Sequence, residues 1–397
     1  MKDQRTSNRL AVALSWIALL LLGVLAVLPL VPPAPPAGPD ITAFSTAQAL
    51  EHIERLAVEP RPIGTPASVR ARADIVGQLR LLGLEPELQT IEVPNYFSAA
   101  GETIEVVNVM ARIPGTTPTT AVALMGHYDT VPTTTGANDD ASAVAILLET
   151  ARAILAGDRL RNDVLVLFMD GEEPAPRFGS TAFITEHPWA GDIGFVINLE
   201  TIGTGGPSLL IEMNGPGGWV IAQVAKAMPA PVAFSFLTTT TELIGGSNTD
   251  FATFRDVGIS GVDLAYLHGS PIYHTLADTP ERVSVRSLQH QGANALALAR
   301  HIGNLDFGES RDESHAVFFT VGHFAVVRYP AAWALPIAGL TGGVLVAAGW
   351  RQRSWLRSLL GLGTTLATTL VAATAAVGIW TLLGSWRGTM GIAESYA

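Results

Sequence analysis

Residues 124–142 read LMGHYDTVPTTTGANDDAS, and the meaning of this stretch decides the fold. It begins at the end of an apolar run, Ala121 to Met125, that reads as a buried strand. A polar loop follows, and apolar periodicity resumes at Ala141. His127, Asp129, Asp139 and Asp140 therefore fall where a strand delivers side chains to the rim of a sheet. Imidazole with carboxylates at the carboxyl end of a strand is a common way for α/β folds to build a metal site. The same residues also suit a strand end, an Asx-type turn and a helix N-cap with no chemistry. The remainder of the chain has to separate the two.

The 397 residues leave room for one large domain or two. The chain is 48% apolar but only 15% charged, well below the quarter usual in soluble proteins. Membrane segments diluting an ordinary soluble domain account for that. A net charge of −11, with no Lys/Arg-rich run, argues against a nucleic-acid partner. Cysteine is absent, which excludes disulfides, thiolate zinc sites and cysteine nucleophiles. Any metal has to be held by His, Asp and Glu.

Residues 1–9 are polar and carry Lys2, Arg5 and Arg9, and Leu10 to Val31 is then uncharged throughout. That run is long enough to cross a bilayer. It is long for a signal peptide and no small-x-small cleavage site follows, so an uncleaved anchor is expected. Residues 32–44 open with PPAPPAGP, a stiff spacer that would lift the next domain off the membrane.

Residues 45–305 have the pattern of one α/β domain. Helices are expected at 47–56, 67–82, 140–155, 249–256 and 284–302, and strands at 88–93, 103–113, 121–125, 163–169, 193–199 and 259–267. The short all-apolar strands suit a sheet covered on both faces, and their alternation with helices predicts a mostly parallel sheet sandwiched by helices. In the connecting segment 306–330, His315 to Tyr329 is apolar and aromatic but too short and polar to span, and is expected to rest at the membrane interface. Residues 331–350 and 358–383 are two more candidate spans, rich in Gly, Ala and Thr. Arg351, Arg353 and Arg357 lie between them, and residues 384–397 form a tail. The positive-inside rule puts that loop and residues 1–9 in the cytoplasm. The expectation is a multi-pass integral membrane protein with its α/β domain on the extracytoplasmic side.

Three further segments follow predicted strands. Asp170-Gly171-Glu172-Glu173 follows 163–169, Glu200 sits in NLETIGTGG after 193–199, and Tyr273-His274-Thr275 follows 259–267. With His127 and Asp139 they bring two imidazoles and several carboxylates to one edge of one sheet. HYD, GANDDAS, GEE followed by FGS, NLE and YHT, in this order and spacing, resemble the co-catalytic dizinc exopeptidases of metallopeptidase family 28. That family includes bacterial leucyl aminopeptidases and glutamate carboxypeptidases. The likeness covers about residues 45–305. NLETIGTGG and NTDFATFRDVGISGVDLAYLHGSPIYHTLADTP look closest to its endoplasmic-reticulum and vacuolar membrane branch. That branch also has membrane helices after the peptidase domain, though usually more than two.

The resemblance implies a zinc peptidase acting on peptide substrates with two Zn²⁺ per chain. His127 and Glu200 would bind one ion, Glu173 and His274 the other, and Asp139 would bridge them. Asp129 would hydrogen-bond the far nitrogen of His127. Glu172 would be the general base, taking a proton from the metal-bound water and passing it to the leaving amine. The carboxylates of Asp139, Glu173 and Glu200 with one hydroxide would balance four positive charges. Glu172 and Glu173, as neighbours at a strand end, should point apart, so that one ligates and the other faces the water.

Several departures stand out. Glu200 occupies a position that is Asp in many relatives. Thr249-Asp250-Phe251 replaces a usual Ser-Asp-His and leaves the role of Asp250 open. Pro174-Ala175-Pro176-Arg177 replaces a Gly-Leu turn after GEE. An aminopeptidase needs an acidic anchor, for which Glu242 is a candidate. A carboxypeptidase needs a cation, for which Arg177 or Arg255 would serve. A non-catalytic receptor on the same fold should have lost ligands, and all five positions are filled. His52, His187, His268, His290, His301, His315 and His323 read as structural or surface residues, and Asp140 as a helix cap. Arg61 and Pro62 read as fixing the entry to the second helix, without chemistry.

Overall fold

The computed structural model describes residues 2–35, 40–95, 102–118, 120–173, 177–308, 311–323 and 325–351, with a few positions between 360 and 374. Residues 1–330 and 331–397 form two compact units. The first opens with helix α1 (Lys2–Val27). Helix α2 (Thr46–Leu56) is capped by the Ser45 hydroxyl, which accepts from the Gln48 amide. Helix α3 (Pro66–Leu81) is capped by Thr65, with Pro66 in the first turn, where a missing N–H costs nothing. Strands β1 (Glu87–Pro94), β2 (Thr103–Ile113) and β3 (Ala121–His127) lead to helix α4 (Ala141–Ala156). After β4 (Asp163–Met169) come α5 (Phe178–Glu186), β5 (Ile193–Thr201), β6 (Leu209–Asn214), α6 (Gly217–Ala227), α7 (Ser235–Leu243), α8 (Phe251–Asp256), β7 (Gly261–Tyr266) and α9 (Val285–Gly303).

The seven strands form one sheet in the order β1-β2-β4-β3-β5-β7-β6. The central β4, β3, β5 and β7 are parallel, while β1, β2 and β6 join antiparallel at the edges. Side-chain alternation along a strand explains the layers. Val122 and Leu124 of β3 point into one core with α2, α4 and α9, whereas Ala121, Ala123 and Met125 point into another with Phe183 of α5 and Phe251 and Phe254 of α8. Helix α4 comes very close to β3: a Cβ on Gly126 would stand 2.7 Å from the Cβ of Ala143. The chain moves from β3 to its neighbour β4 on one side and then to β5 on the other. Their carboxyl ends therefore form a topological switch point, the usual ligand crevice of open α/β sheets.

The central, mostly parallel sheet flanked by helices matches the sequence expectation. Strand β6 and helices α5, α6 and α7 were not anticipated. The stretch 203–249 is interrupted by Gly, Pro and Thr and has no clean period.

The segment expected to rest at the membrane interface folds as a hairpin, β8 (Ala316–Val321) and β9 (Ala325–Pro330). Phe318 is buried, and the Thr320 hydroxyl donates to the Pro231 carbonyl at 3.1 Å and accepts from the Ala233 amide at 2.9 Å. At the hairpin turn the Gly322 amide donates to the Leu25 carbonyl of α1 at 3.1 Å. The domain therefore touches α1 through this turn.

Helix α10 (Ala334–Arg351) belongs to the second unit. Among the described residues two helices are long and apolar enough to cross a membrane, through the windows Ala13–Leu30 and Ala331–Ala348. The third span expected from the sequence, 358–383, lies largely outside the described residues, as do the tail 384–397 and residues 174–176.

Arg61 has a different task from the one its neighbourhood suggested. It is 1% exposed, and its guanidinium donates only to main-chain carbonyls: Leu56 (3.1 Å), Tyr128 (2.8 Å), Thr135 (2.5 Å) and Gly136 (3.1 Å). Its own amide donates to the Thr130 hydroxyl at 2.8 Å. Burial pulls its pKa down to about 10 against the opposing pull of Asp129 and Asp278, so it stays charged at neutral pH. Arg61 thus ties the loop between β3 and α4 at its start, Tyr128, and again at Thr135 and Gly136. Arg61→Met would leave several buried carbonyls unpaired, each costing about 1–3 kcal/mol. Urea unfolding should show a midpoint lowered by the equivalent of at least about 3 kcal/mol with little change in slope.

Candidate metal centre

His127 is the last residue of β3, and Glu200 lies near the end of the adjacent β5. The two meet across the switch point. His127 Nε2 stands 3.4 Å from Asp139 Oδ1 and 3.8 Å from Glu200 Oε2. The other oxygen of Asp139 faces the second imidazole, with Oδ2 at 3.2 Å from His274 Nε2, and His274 Nε2 also contacts Glu173 Oε1. Two trios of buried donors result, His127/Asp139/Glu200 and Asp139/Glu173/His274, and they share Asp139.

The donor set fits zinc. Imidazole and carboxylate are ordinary zinc ligands, and bonds of about 2.0–2.2 Å in a tetrahedron place donors roughly 3.3–3.6 Å apart. The three separations from Asp139 and Glu200, 3.2–3.8 Å, bracket that value. Charge points the same way. Burial pushes the carboxyl groups of Glu172 and Glu200 well above their ordinary range, and neighbouring acids add to the effect. Burial alone would lower the pKa of His127, but Asp129, Asp139 and the nearby glutamates outweigh it and raise it strongly. His274 is likewise raised, to about 9, by Asp139 and Glu173 against burial. A buried cluster with this excess of carboxylate is one that a multivalent cation would stabilise.

Asp129 faces the far nitrogen of His127, as expected from the sequence, and carries a second task. His127 Nδ1 bonds the main-chain carbonyl of Asp129 at 3.2 Å, with the carboxylate at 3.5 Å. The carboxylate itself accepts the amides of Glu172 (3.3 Å) and Glu173 (2.9 Å). Those glutamates do not lie at a strand end, because β4 finishes at Met169 and Gly171 turns the chain at φ 77°. Strand alternation therefore does not set their directions. Asp129 holds their backbone beside the site.

Asp278, part of the TLADTP motif but given no role from the sequence, ties the two ligand loops together. Its carboxylate accepts the Asn138 amide (2.9 Å), the Asn138 side chain (2.7 Å) and the Asp139 amide (3.1 Å). The Thr135 hydroxyl donates to the Asp278 carbonyl (2.7 Å), and the Thr133 hydroxyl to that of His274 (2.9 Å). Asp140 stands apart from both trios and caps α4, its Oδ1 accepting the Ala143 amide at 3.2 Å. The Tyr273 ring stacks on that of His274 at 3.7 Å between centroids. Burial and the surrounding carboxylates keep its phenol protonated, hence a neutral donor.

Asp250 is buried and takes the Ser180 hydroxyl at 2.5 Å. Behind Glu200, Asn198 bridges Glu200 (3.2 Å) and Asp263 (3.0 Å), and Asp263 accepts from Thr249 at 2.9 Å. Of the rim candidates, Arg255 is engaged by Glu212 and Asp256, and Arg177 by Asn248. Glu242 is exposed on α7.

Residues 108–299 match the Peptidase family M28. Endoplasmic reticulum metallopeptidase 1 of Mus musculus is 30% identical over 308 residues, which are 72% of this chain and 34% of that protein. The chain thus spans about a third of that relative. An aminopeptidase from Aneurinibacillus sp. strain AM-1 superposes with a TM-score of 0.53 at 15% identity, covering 66% of this chain and 94% of its own. A Porphyromonas gingivalis glutaminyl cyclase does so with a TM-score of 0.54 at 20% identity, covering 64% and 98%. At these identities the structural likeness speaks to the fold alone. The sequence match, with the paired His/carboxylate trios inside it, makes this chain the bearer of a Peptidase family M28 domain.

Proposed function

We propose that the protein is a membrane-anchored exopeptidase that works with two zinc ions per chain and removes residues from the amino ends of peptides. One observation carries the reading: the two oxygens of Asp139 face two different imidazoles, each of which has its own glutamate. In this reading His127 and Glu200 hold one ion, His274 and Glu173 the other, and Asp139 both. Bound together, two such ions would polarise the scissile carbonyl and acidify the attacking water.

The chain's own groups do the rest. Glu172 is buried at the cluster without belonging to either trio, and its carboxyl has a raised affinity for protons. It takes a proton from the water as the new C–O bond forms and gives it to the amine nitrogen as the C–N bond breaks. Asp129 keeps the Glu172 and Glu173 amides in place, and the Tyr273 hydroxyl is available to a developing oxyanion. Aminopeptidase specificity is favoured by local charge, since acids surround the site while Arg255 and Arg177 are already engaged. A free ammonium suits that field better than a free carboxylate. The two apolar windows, with Lys2, Arg5 and Arg9 before the first and Arg351 at the end of α10, support a membrane protein with its peptidase domain on the extracytoplasmic side.

Glu172→Gln should retain both metals by elemental analysis while losing about 10²–10⁴-fold in kcat. Unchanged turnover would remove Glu172 from the mechanism. The metal assignments predict a pattern of stoichiometry. Asp139→Ala should lose both ions, whereas Glu200→Ala and Glu173→Ala should each weaken one, and a chelator should abolish turnover reversibly on zinc addition. Acetylation of the amino terminus should abolish cleavage of an otherwise good peptide. Equal rates on blocked and free peptides would sink aminopeptidase specificity, and amidation of the carboxyl end alone stopping cleavage would establish the carboxypeptidase alternative.

A further inference from the structure

Phe236, Leu243 and Ile244, on and just after α7, are 81%, 81% and 78% exposed. Phe236 and Leu243 lie seven positions apart and share a helix face with Thr240. From Ser235 to Thr249 the sole charged residue is Glu242. Single exposed apolar residues are ordinary, but this face is nearly free of charge and continues onto its neighbour.

That neighbour is the β8–β9 hairpin. Phe234 bridges Phe319, and the Phe318 amide donates to the Ser235 hydroxyl at 3.4 Å. Phe319 pairs across the hairpin with Val327, and both are 40% exposed, while Phe318 and Thr320 point inward. The hairpin thus turns an apolar pair outward beside α7.

The same hairpin touches α1. Its turn residue Gly322 is hydrogen-bonded to Leu25, which lies five residues inside the apolar window that ends at Leu30. At 1.5 Å per residue that is about 7 Å from the window's end. A turn bonded there sits near the boundary between acyl chains and headgroups. Phe319 is three residues back along β8, about 10 Å away.

We propose that α7 and the outward face of the hairpin form a platform that rests in the headgroup layer of the bilayer that α1 enters. Phe236, Leu243, Ile244, Phe319 and Val327 are immersed, and the exposed Arg328 meets lipid phosphates from the edge. The occupant is the lipid interface because the surface is continuous with the contact to a membrane-length helix. The inference rests on the membrane reading made above.

The chain has no cysteine, so single-site labels are simple to place. Phe236→Cys, Leu243→Cys, Leu21→Cys and Leu81→Cys, each carrying an environment-sensitive fluorophore, would be measured in the full chain in phosphatidylcholine nanodiscs containing shallow spin-labelled lipid. Leu21 lies in the apolar window of α1. Leu81 is equally exposed, at 81%, but ends α3, which packs on β2 toward the other edge of the sheet. Labels at 236 and 243 should be quenched severalfold more than the label at 81. Quenching at 236 and 243 no greater than at 81, while the label at 21 is quenched, overturns the platform and leaves the membrane anchor intact. If the label at 21 also escapes, the membrane reading fails and the platform with it. Shielding of the 236 label by peptide or by a second copy, without lipid quenching, would assign the face elsewhere and also overturn the proposal. All four substituted positions are surface sites, so the domain's packing is untouched.

Discussion

A single carboxylate facing two imidazoles organises this structure. Asp139 can present one oxygen to His127 and the other to His274 only if its backbone is fixed and its side chain is spared other bonds. Asp278 meets the first condition by accepting the Asp139 amide and both the amide and the side-chain NH2 of Asn138. Arg61 meets it again from the other side, binding the loop at Tyr128 and at Thr135–Gly136. A bridging ligand on an unsupported loop would lose its geometry to conformational entropy, at about 1–2 kcal/mol per residue left free. The strand supplies His127, but the loop contacts convert a strand end into a site.

Charge dictates much of what surrounds that carboxylate. Asp129, Asp139, Glu172, Glu173, Glu200, Asp250 and Asp263 are all buried, and such groups are stable only when they are bonded, protonated or near a cation. The structure uses two of these solutions visibly. Asp129 is bonded by two amides, and Asp263 by Asn198 and Thr249. Glu172 and Glu200 have few such bonds, and burial drives both toward protonation. Arg61 contributes a fixed positive charge beside Asp129 and Asp278, yet its guanidinium donates to four main-chain carbonyls. Its charge helps the acids, while its hydrogen bonds serve the loop.

The parts legible in the sequence share a property: each ligand lies on, or in the loop that follows, the carboxyl end of an apolar strand. The run 121–125 announces β3, and His127 follows within two residues. The run 193–199 places Glu200 in the same way, and the run 163–169 leads into the turn that carries Glu173. The supporting residues were illegible because their partners are distant in the chain. Arg61 acts on residues 67–75 positions away, and Asp278 on residues 139 and 140 positions away. No local period encodes such pairs. Asp129 was half legible, since HxD suggested a contact between neighbours. Its grip on Glu172 and Glu173, 43 and 44 residues on, emerges only when β3 and β4 pair in parallel. The stretch 203–249 failed for the opposite reason. Its edge strand and short helices carry too little apolar repetition to be told from loop.

The relation of the domain to its first apolar helix turns on one short contact. Composition made residues 32–44 a stiff spacer, and a spacer that lifted the domain clear would also separate Gly322 from Leu25. Those residues are instead hydrogen-bonded. The hairpin is in turn fixed to the domain by buried Phe318 and by Thr320, whose hydroxyl both donates and accepts. An amide–carbonyl bond contributes only about 1 kcal/mol by itself. A rigid hairpin anchored in the domain transmits that constraint without slack. The distance between domain and helix end is set by β8, and the apolar residues on and beside that strand face whatever medium surrounds the end of α1.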